Sequence, residues 1–225
     1  MELEQAKQLG NELRAALSPY CVRIEIAGST RRFKPDPKDL EIVAIPETGT
    51  FQIADLWGES QTVVMVNRLE DALSEYLTSD GPWVLDDQLR RAGPNYKRLR
   101  HKALDVACDL FITDARKWAY TFTIRTGPGD FSTALVKRAH YLRMFFDGCL
   151  LHKHPPMFFD GRTVPCPIGA RCSQVVELTE EMDLFAALKM PYIPPERRGE
   201  VSPQIVLDIS VEGGQRLDAF SARMA

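Results

Sequence analysis

The segment that most constrains the fold is residues 20–46, in which two apolar strand patterns flank a turn rich in glycine, serine and charged residues. Residues 20–27 alternate apolar and polar side chains, which predicts a half-buried strand. The apolar residues of 40–45 predict a second strand directly after the turn. Asp39 and Glu41 lie two residues apart there, so that on a strand both carboxylates point to the same face. Two carboxylates on one face, beside a Gly-Ser turn able to cradle a phosphate, are typical of metal-assisted phosphoryl transfer.

A third carboxylate interrupts an apolar strand further along the chain. Asp109 lies within the run Ala-Cys-Asp-Leu-Phe-Ile of residues 107–112. A buried acid normally has a partner, and a metal ion is the favoured one here. The alternative is an ion pair with a neighbouring arginine such as Arg100. Asp105 ranks below Asp109 as a candidate.

The glycine, serine, arginine and carboxylates of the first segment resemble the Gly-Ser…Asp-x-Asp/Glu signature of the DNA polymerase beta nucleotidyltransferase superfamily. The double arginine and the step of ten residues from Ser29 to Asp39 are most similar to the family X DNA polymerases. Three later segments resemble that family in the same order. They are the strand around Asp109, the Thr-Gly turn and helix after Arg125, and the Pro-Tyr-x-x-Pro-x-x-Arg run that ends at Arg198. The chain departs from the family's pattern at Glu41, where Asp is usual, and in the Gly-Pro-Gly run after Thr126.

The resemblance implies a set of site residues. Asp39, Glu41 and Asp109 would be the catalytic residues and would hold two Mg²⁺ (or Mn²⁺) ions. The residues implied to bind the incoming nucleotide are Gly28, Ser29 and Arg32 at its phosphates, and Thr126, Gly127 and Phe131 at its sugar and base. The first arginine of the pair, Arg31, is expected to be a surface residue or a structural ion-pair partner.

A basic stretch without a single acid lies between Gln88 and Lys102. Its basic residues are Arg90, Arg91, Lys97, Arg98, Arg100 and Lys102. Charge alone is equally consistent with a phosphate-binding surface and with a solvated hairpin. The resemblance favours contact with primer/template DNA, and because Arg98 and Arg100 share one face of a strand, they are the nucleic-acid-binding candidates.

Four other residues suggest a metal site but have unusual spacing. His152 and His154 form a His-x-His pair, and Cys166 and Cys172 a Cys-x5-Cys pair. These spacings do not match the tight pairs of structural zinc sites, so incidental surface histidines and half-buried cysteines are the favoured interpretation and zinc the alternative.

Composition sets the class of protein. The 225 residues carry a net charge of −3, which excludes a uniformly basic nucleic-acid binder. Since no apolar run approaches the roughly 20 residues needed to span a bilayer, no membrane association is expected. The five scattered cysteines and the charged N-terminus favour a reducing, cytoplasmic location in a bacterial or phage-infected cell, or wherever the host keeps its DNA.

The expected fold class is α/β (α+β): a nucleotidyltransferase palm with a mixed sheet and flanking helices over residues 1–133. A small C-terminal, thumb-like α+β lobe is expected over 134–198 and an extension over 199–225. Periodicity predicts helices at 3–17, 67–77, 115–122, 134–146 and 180–188, the last with a capping signal at 179–182. Further strands are predicted at 83–86, 96–99 and 105–113, and another is considered at 204–209.

The leading functional hypothesis is a compact family X-like DNA polymerase that adds nucleotides from (d)NTP to a 3′ end and releases pyrophosphate. One alternative is a template-independent or small-acceptor nucleotidyltransferase of the same superfamily. The other is a catalytically silent nucleic-acid-binding module.

Overall fold

The computed structural model describes residues 1–54, 61–78, 81–86 and 92–201. The arginines at 90 and 91, and the chain after residue 201 with its considered strand at 204–209, lie outside the described residues. Backbone contacts divide the chain into two compact units. The first combines Met1–Ile26 with Pro35–Asp114, and the second combines Ala27–Lys34 with the chain from Ala115 onward. The observed division after Asp114 thus differs from the predicted boundary after residue 133.

Helices and strands are numbered in chain order. The described helices are α1 (Leu3–Leu17), α2 (Gly28–Arg31), α3 (Arg68–Thr78), α4 (Trp118–Thr126), α5 (Gly129–Tyr141) and α6 (Glu181–Ala187). The described strands are β1 (Cys21–Ile26), β2 (Leu40–Pro46), β3 (Thr48–Ala54), β4 (Gln61–Asn67), β5 (Trp83–Leu85), β6 (Ala92–Gly93), β7 (Tyr96–His101), β8 (Ala107–Ile112), β9 (Phe145–Asp147), β10 (Leu150–His152), β11 (Met157–Phe159) and β12 (Arg162–Val164). None of these helices is both long and apolar enough to cross a bilayer.

The first unit is built on a mixed sheet with the strand order β1-β2-β8-β7-β5, and β6 adds to β7. The pair β2–β8 is parallel and the remaining pairs are antiparallel. The strands β3 and β4 form a separate antiparallel hairpin that the sequence patterns did not predict. The mixed sheet with flanking helices confirms the expected α+β class.

One face of this sheet is buried beneath α1 and α3. Leu40 and Ile42 of β2, together with Cys108 and Leu110 of β8, join the apolar core on that face. Gly10 lies at this contact, where an added Cβ would meet the terminal methyl group of Ile26 at 2.9 Å. Because side chains alternate along a strand, the residues between these core positions face the other way.

The side chain of Asn67 caps the start of α3. The Asn67 side-chain oxygen accepts hydrogen bonds from the backbone N–H groups of Leu69 and Glu70, at 3.1 and 3.2 Å. These bonds satisfy two of the donors that the first turn of a helix leaves without partners.

The second unit packs α4, α5 and α6 around a separate apolar core that includes Leu135, Leu184 and Phe185. The helix predicted at 134–146 is instead Gly129–Tyr141, since Arg143 has a positive φ of 57° and the chain turns into β9. The pattern misleads there because the apolar Phe145 and Phe146 continue the spacing of the helix into a strand.

The capping signal predicted at 179–182 is confirmed. The N-cap of α6 is Glu180, and Asp183 completes a reciprocal capping box. The Asp183 carboxylate accepts from the backbone N–H groups of Thr179 and Glu180, at 2.9 and 2.8 Å.

Candidate functional site

The predicted carboxylates of the first unit lie on the sheet face opposite α1 and α3. Glu41 of β2 and Asp109 of β8 are direct partners in the parallel ladder. Their neighbours Leu40, Ile42 and Cys108 point into the core, so the two acids point away from it. Asp39 immediately precedes β2 and is partly buried.

Electrostatics show that the three acids share one local field. Burial raises the pKa of the Asp39 carboxyl, and the negative charge of Asp109 raises it further. Burial also raises the pKa of the Cys108 thiol, followed by the charges of Asp109, Glu41 and Asp39 in that order. Each acid is therefore close enough to disfavour a further negative charge at this edge of β2 and β8.

Asp109 is held by two side chains of the neighbouring strand β7. The Arg98 guanidinium donates to Asp109 Oδ1 at 2.6 Å, and the Tyr96 hydroxyl donates to the same oxygen at 2.6 Å. Arg98 is the ladder partner of Asp109, and Tyr96 lies two residues earlier on the same face. The ion pair with an arginine that was the alternative for Asp109 is thus observed, with Arg98 rather than Arg100.

Arg100 instead binds two other acids. It contacts Asp86 at 2.8 Å and Asp105 at 2.7 Å, while Arg98 lies 3.6 Å from Asp86. Asp105 precedes β8 and is exposed, unlike the partly buried Asp109 within the strand. Arg98 and Arg100 both stay partly exposed while they neutralise these acids. Their proposed contact with a nucleic acid stays a prediction.

The opposite face of β7 confirms the predicted alternation. Lys97 is buried there and its ammonium group contacts Glu70 of α3 at 2.7 Å. Lys97 therefore belongs to the packing of the sheet against α3, whereas Arg98 and Arg100 face the carboxylates.

The donor set of the three acids fits divalent cations. Carboxylate oxygens are the ligands that Mg²⁺ and Mn²⁺ prefer in proteins. A bound cation would also favour the charged form of Asp39, whose pKa is raised by burial and further by the charge of Asp109. Arg98 and Tyr96 would then act as partners that orient the Asp109 ligand.

In the second unit, the Gly-Ser turn forms the short helix α2. Gly28 begins it with a φ of +63°, a conformation that favours glycine. Backbone N–H groups of Arg31 and Arg32 donate to the carbonyls of Ala27 and Gly28, at 3.2 and 3.3 Å. The turn therefore has a fixed backbone shape.

Both arginines of this turn reach the end of α4. The Arg32 guanidinium donates to the backbone carbonyl of Thr126. The Arg31 guanidinium donates to the Thr126 hydroxyl at 2.8 Å and lies 3.9 Å above the Phe122 ring. The predicted phosphate-binding turn and the predicted sugar-binding turn are thus joined by direct hydrogen bonds.

Arg31 also takes part in an ion-pair network, so that of its two expected roles the structural ion-pair partner is the one observed. Glu181 of α6 accepts from Arg31 at 3.0 and 2.6 Å and from Arg198 at 2.8 Å. Burial alone would raise the pKa of the Glu181 carboxyl, but the two guanidinium groups hold it below its usual range. Arg198 is fully buried and also donates to the backbone carbonyl of Ile193 at 3.0 Å.

Phe131 and Gly127 form a packed pair at the start of α5. A Cβ on Gly127 would lie 2.0 Å from Cδ1 of the Phe131 ring, so only glycine fits. Phe131 is fully buried and packs near Phe185 and Arg198. This placement corrects the expectation that Phe131 lines a base site, because a fully buried ring supports the turn from inside the core.

Several residues of the two sites were missed by the sequence patterns. Tyr96 donates to Asp109, Asp86 contacts Arg98 and Arg100, and Glu181 pairs with Arg31 and Arg198. Tyr96 had a readable signal, since it shares the period-2 face of Arg98. Glu181 had none, because its partners lie 150 and 17 positions away in the sequence.

The structure corrects the interpretation of the histidine and cysteine pairs. His152 is fully buried rather than a surface residue, and Cys166 and Cys172 are buried as well. Their ligand atoms, with those of the partly buried His154, lie within 4.8 Å of one another. Distant sequence positions thus form one cluster.

The comparisons agree with this fold. Residues 122–199 match the family model of the DNA polymerase beta thumb. No curated protein sequence matches the chain. A solved structure of Leishmania infantum polymerase beta in a ternary P/T complex has 17% identity and a TM-score of 0.60, and covers 88% of this chain and 76% of its own. A ternary gap complex of the same polymerase has 18% identity and a TM-score of 0.60. That match covers 88% of this chain and 70% of the polymerase chain.

At this identity the structural likeness establishes the class of fold. The chain has a mixed α+β fold similar to that of polymerase beta, with a sheet flanked by helices. The resemblance to the DNA polymerase beta family is confirmed by this fold and by the thumb match over residues 122–199.

Proposed function

We propose that this protein is a metal-dependent nucleotidyltransferase, a compact family X-like DNA polymerase that adds nucleotides from dNTP to a primer 3′ end. The observation that carries the proposal is the pairing of Glu41 with Asp109 across a parallel ladder, beside an Asp39 whose pKa is raised. A fold similar to polymerase beta gives this carboxylate group its context.

The carboxylates would bind the metal ions and handle a proton. Asp39, Glu41 and Asp109 would hold two Mg²⁺ or Mn²⁺ ions, which when bound neutralise triphosphate charge and acidify a 3′-hydroxyl. Asp109 is the proposed acceptor of the hydroxyl proton. Arg98 and Tyr96 fix the orientation of that carboxylate through Oδ1.

The second unit would hold the nucleotide. Ser29, Arg32 and backbone N–H groups near Gly28 would bind the β and γ phosphates. Gly127 would contact the sugar, whereas the fully buried Thr126 would position this turn by accepting hydrogen bonds from Arg31 and Arg32. Phe131 would fix the turn from the core rather than touch the base.

A primer-extension assay separates the proposed polymerase from its alternatives. A labelled primer is offered as a gapped duplex and as a single strand, with each dNTP in turn and with Mg²⁺ or Mn²⁺. Addition matched to the template supports the polymerase. Addition that ignores the template would indicate a terminal transferase. No addition, together with metal-independent DNA binding and no nucleotide affinity in a binding measurement, would indicate a silent binding module.

The DNA contact is proposed for Arg98 and Arg100, which share the carboxylate face of β7. Since Arg98 also holds Asp109, Arg100→Gln is the cleaner test. Binding of a gapped duplex should weaken, and the slope of log affinity against log salt should flatten by about 1. Lys7→Gln is the control, because Lys7 lies on α1 against the other face of the sheet. Equal slopes for both variants would contradict the placement of DNA on this face.

A further inference from the structure

A cluster of two histidines and two cysteines lies in the second unit, in residues that the proposed polymerase chemistry does not use. His152, His154, Cys166 and Cys172 each offer one ligand atom, and these atoms lie within 4.8 Å of one another. All five cysteines of the chain are free of disulfides, so both thiols of the cluster are available as ligands.

Local structure explains how these four residues come together although their spacing in the sequence is unusual. His152 ends β10, which pairs with β9, and it also forms a bridge to Val175. The segment between the cysteines consists of consecutive tight turns. The backbone N–H of Gly169 donates to the Cys166 carbonyl at 2.9 Å, and that of Cys172 donates to the Gly169 carbonyl at 3.1 Å. Gly169 has a φ of +56°, which folds the five intervening residues back so that both thiols face the histidines.

His152 has the environment of a ligand rather than of an ordinary core side chain. It is fully buried, and neither of its ring nitrogens has a hydrogen-bond partner among the described residues. A buried polar group without a partner is costly, and a metal ion would satisfy one nitrogen directly.

His154 carries the outer contact that is common in metal-binding histidines. Its Nδ1 lies 2.9 Å from the backbone carbonyl of Pro155. A carbonyl can only accept, so Nδ1 carries the proton and Nε2 keeps its lone pair for a ligand bond. This arrangement fixes the tautomer and the ring orientation.

From these contacts we propose that the cluster is a structural Zn²⁺ site with His₂Cys₂ ligation. Zinc prefers four nitrogen and sulfur ligands in a tetrahedron, and a site closed by four protein ligands is structural rather than catalytic. Bonds of about 2.3 Å to sulfur and about 2.0–2.1 Å to nitrogen place ligand atoms roughly 3.3–3.8 Å apart. The observed cluster needs to contract by only about 1 Å to reach that geometry.

The surroundings show what such an ion would stabilise. Among the residues that the structure describes, the buried members of the apolar cluster here are Phe145, Cys166 and Cys172, with Val175 packed against it. Small regions with so little core commonly rely on a metal or a disulfide. The ion would also tie the base of the β11–β12 hairpin, since His154 precedes β11 and Cys166 follows β12. That hairpin carries the exposed side chains of Phe158 and Phe159.

The metal content of the full chain tests the site. Protein is prepared in reducing buffer without chelator, and zinc is measured by inductively coupled plasma mass spectrometry. We expect one zinc ion per chain, and a fall to less than about a tenth of that in Cys166→Ser and Cys172→Ser. The matched controls are Cys149→Ser and His140→Gln, which replace exposed residues outside the cluster and should keep the full zinc content.

A further variant separates this site from the carboxylates of the first unit. The double variant Asp39→Ala with Asp109→Ala should keep its zinc. Zinc lost from that variant, or kept in both cysteine variants, would overturn the assignment.

A measurement on the unaltered chain covers the case in which the cysteine variants fail to fold. Zinc is removed with a chelator, and Co²⁺ is added to the reduced protein. The site predicts a thiolate-to-cobalt charge-transfer band together with the visible bands of tetrahedral cobalt, saturating at one equivalent. Purified protein that holds no zinc and shows neither band with Co²⁺ would overturn the proposal.

Discussion

At the scale of single residues, the carboxylates opposite the core place like charges close together. Asp39 has a raised pKa because it is partly buried and faces the charge of Asp109. Such repulsion is a cost to the fold that a bound cation relieves, as is common at sites that sacrifice stability for function. The residue types and their shared face were predictable from alternation along two strands. The roles of Tyr96 and Arg98 depend on strand pairing that no local pattern specifies.

Asp39→Asn is therefore expected to stabilise the metal-free protein slightly at pH 7, by less than about 1 kcal/mol, because Asp39 is only partly buried and solvent screens its charge. The folded protein holds the Asp39 proton more tightly than the unfolded chain, whose pKa is near 3.8. This group thus favours the fold most below pH 3.8, and that contribution disappears as the pH rises through the raised pKa. In thermal unfolding at several pH values, the unfolding temperature of Asp39→Asn minus that of the unaltered protein should increase with pH.

The control for that measurement is Asp36→Asn, an exposed residue of the same turn. It should leave the unfolding temperature unchanged. A destabilised Asp39→Asn protein without metal would contradict the repulsion between Asp39 and Asp109.

Gly127 gives a second prediction at this scale. In Gly127→Ala the new methyl group would meet the Phe131 ring at 2.0 Å. Because the ring is fully buried, it cannot move aside freely, and we expect a loss of about 1–3 kcal/mol in unfolding free energy. Gly129→Ala is the matched control, since nothing lies within 4 Å of an added Cβ there. Denaturant unfolding of both variants checks this, and equal stabilities would contradict the packing of Phe131 against the turn.

At the scale of elements, the second unit is joined by charge as well as by apolar packing. Glu181 of α6 binds Arg31 of α2 and Arg198 of the C-terminal tail, so three separate segments meet at one carboxylate. The helices themselves were predictable from periodicity, as α1 and α3 show. Their mutual contacts were not, because a buried ion pair links residues far apart in the chain.

Glu181→Gln should destabilise the protein by about 3–5 kcal/mol, because it leaves two guanidinium groups without a counter-charge. The lowered pKa of Glu181 also predicts a pH dependence. Its stabilising contribution is present above pH 4.5 and is lost as the pH falls through the lower pKa of the folded state. Unfolding free energies measured from pH 7 to pH 3 check both effects.

Glu196→Gln serves as the control, since Glu196 is an exposed residue of the same tail. It should change stability by less than about 0.5 kcal/mol. A Glu181 variant as stable as this control would contradict the network.

The errors in element boundaries have local causes. The end of α5 was misplaced because Phe145 and Phe146 extend its apolar spacing, although Arg143 has already left the helical conformation. The β3–β4 hairpin was missed altogether. The spacing of Cys166 and Cys172 likewise did not reveal that they lie beside His152 and His154, because consecutive turns between the two cysteines bring them together.

At the scale of the whole molecule, backbone contacts divide the chain into two units, each with its own apolar core. The first holds the carboxylates on a mixed sheet, and the second holds the turns proposed to bind the nucleotide. The class of fold was predictable because four family-like segments occur in the same order. The position of the division was not, since residues 27–34 join the second unit although they lie between two strands of the first.

The most direct test of the proposed activity compares two acids close in sequence. Asp109→Ala and Asp105→Ala are assayed for extension of a primer in a gapped duplex with Mg²⁺. Asp109 is the ladder partner of Glu41, whereas Asp105 is exposed and pairs with Arg100. We predict that Asp109→Ala lowers the rate of nucleotide addition by at least about 100-fold, while Asp105→Ala stays near the unaltered protein. Undiminished addition by Asp109→Ala would contradict a catalytic role for the carboxylates of β2 and β8.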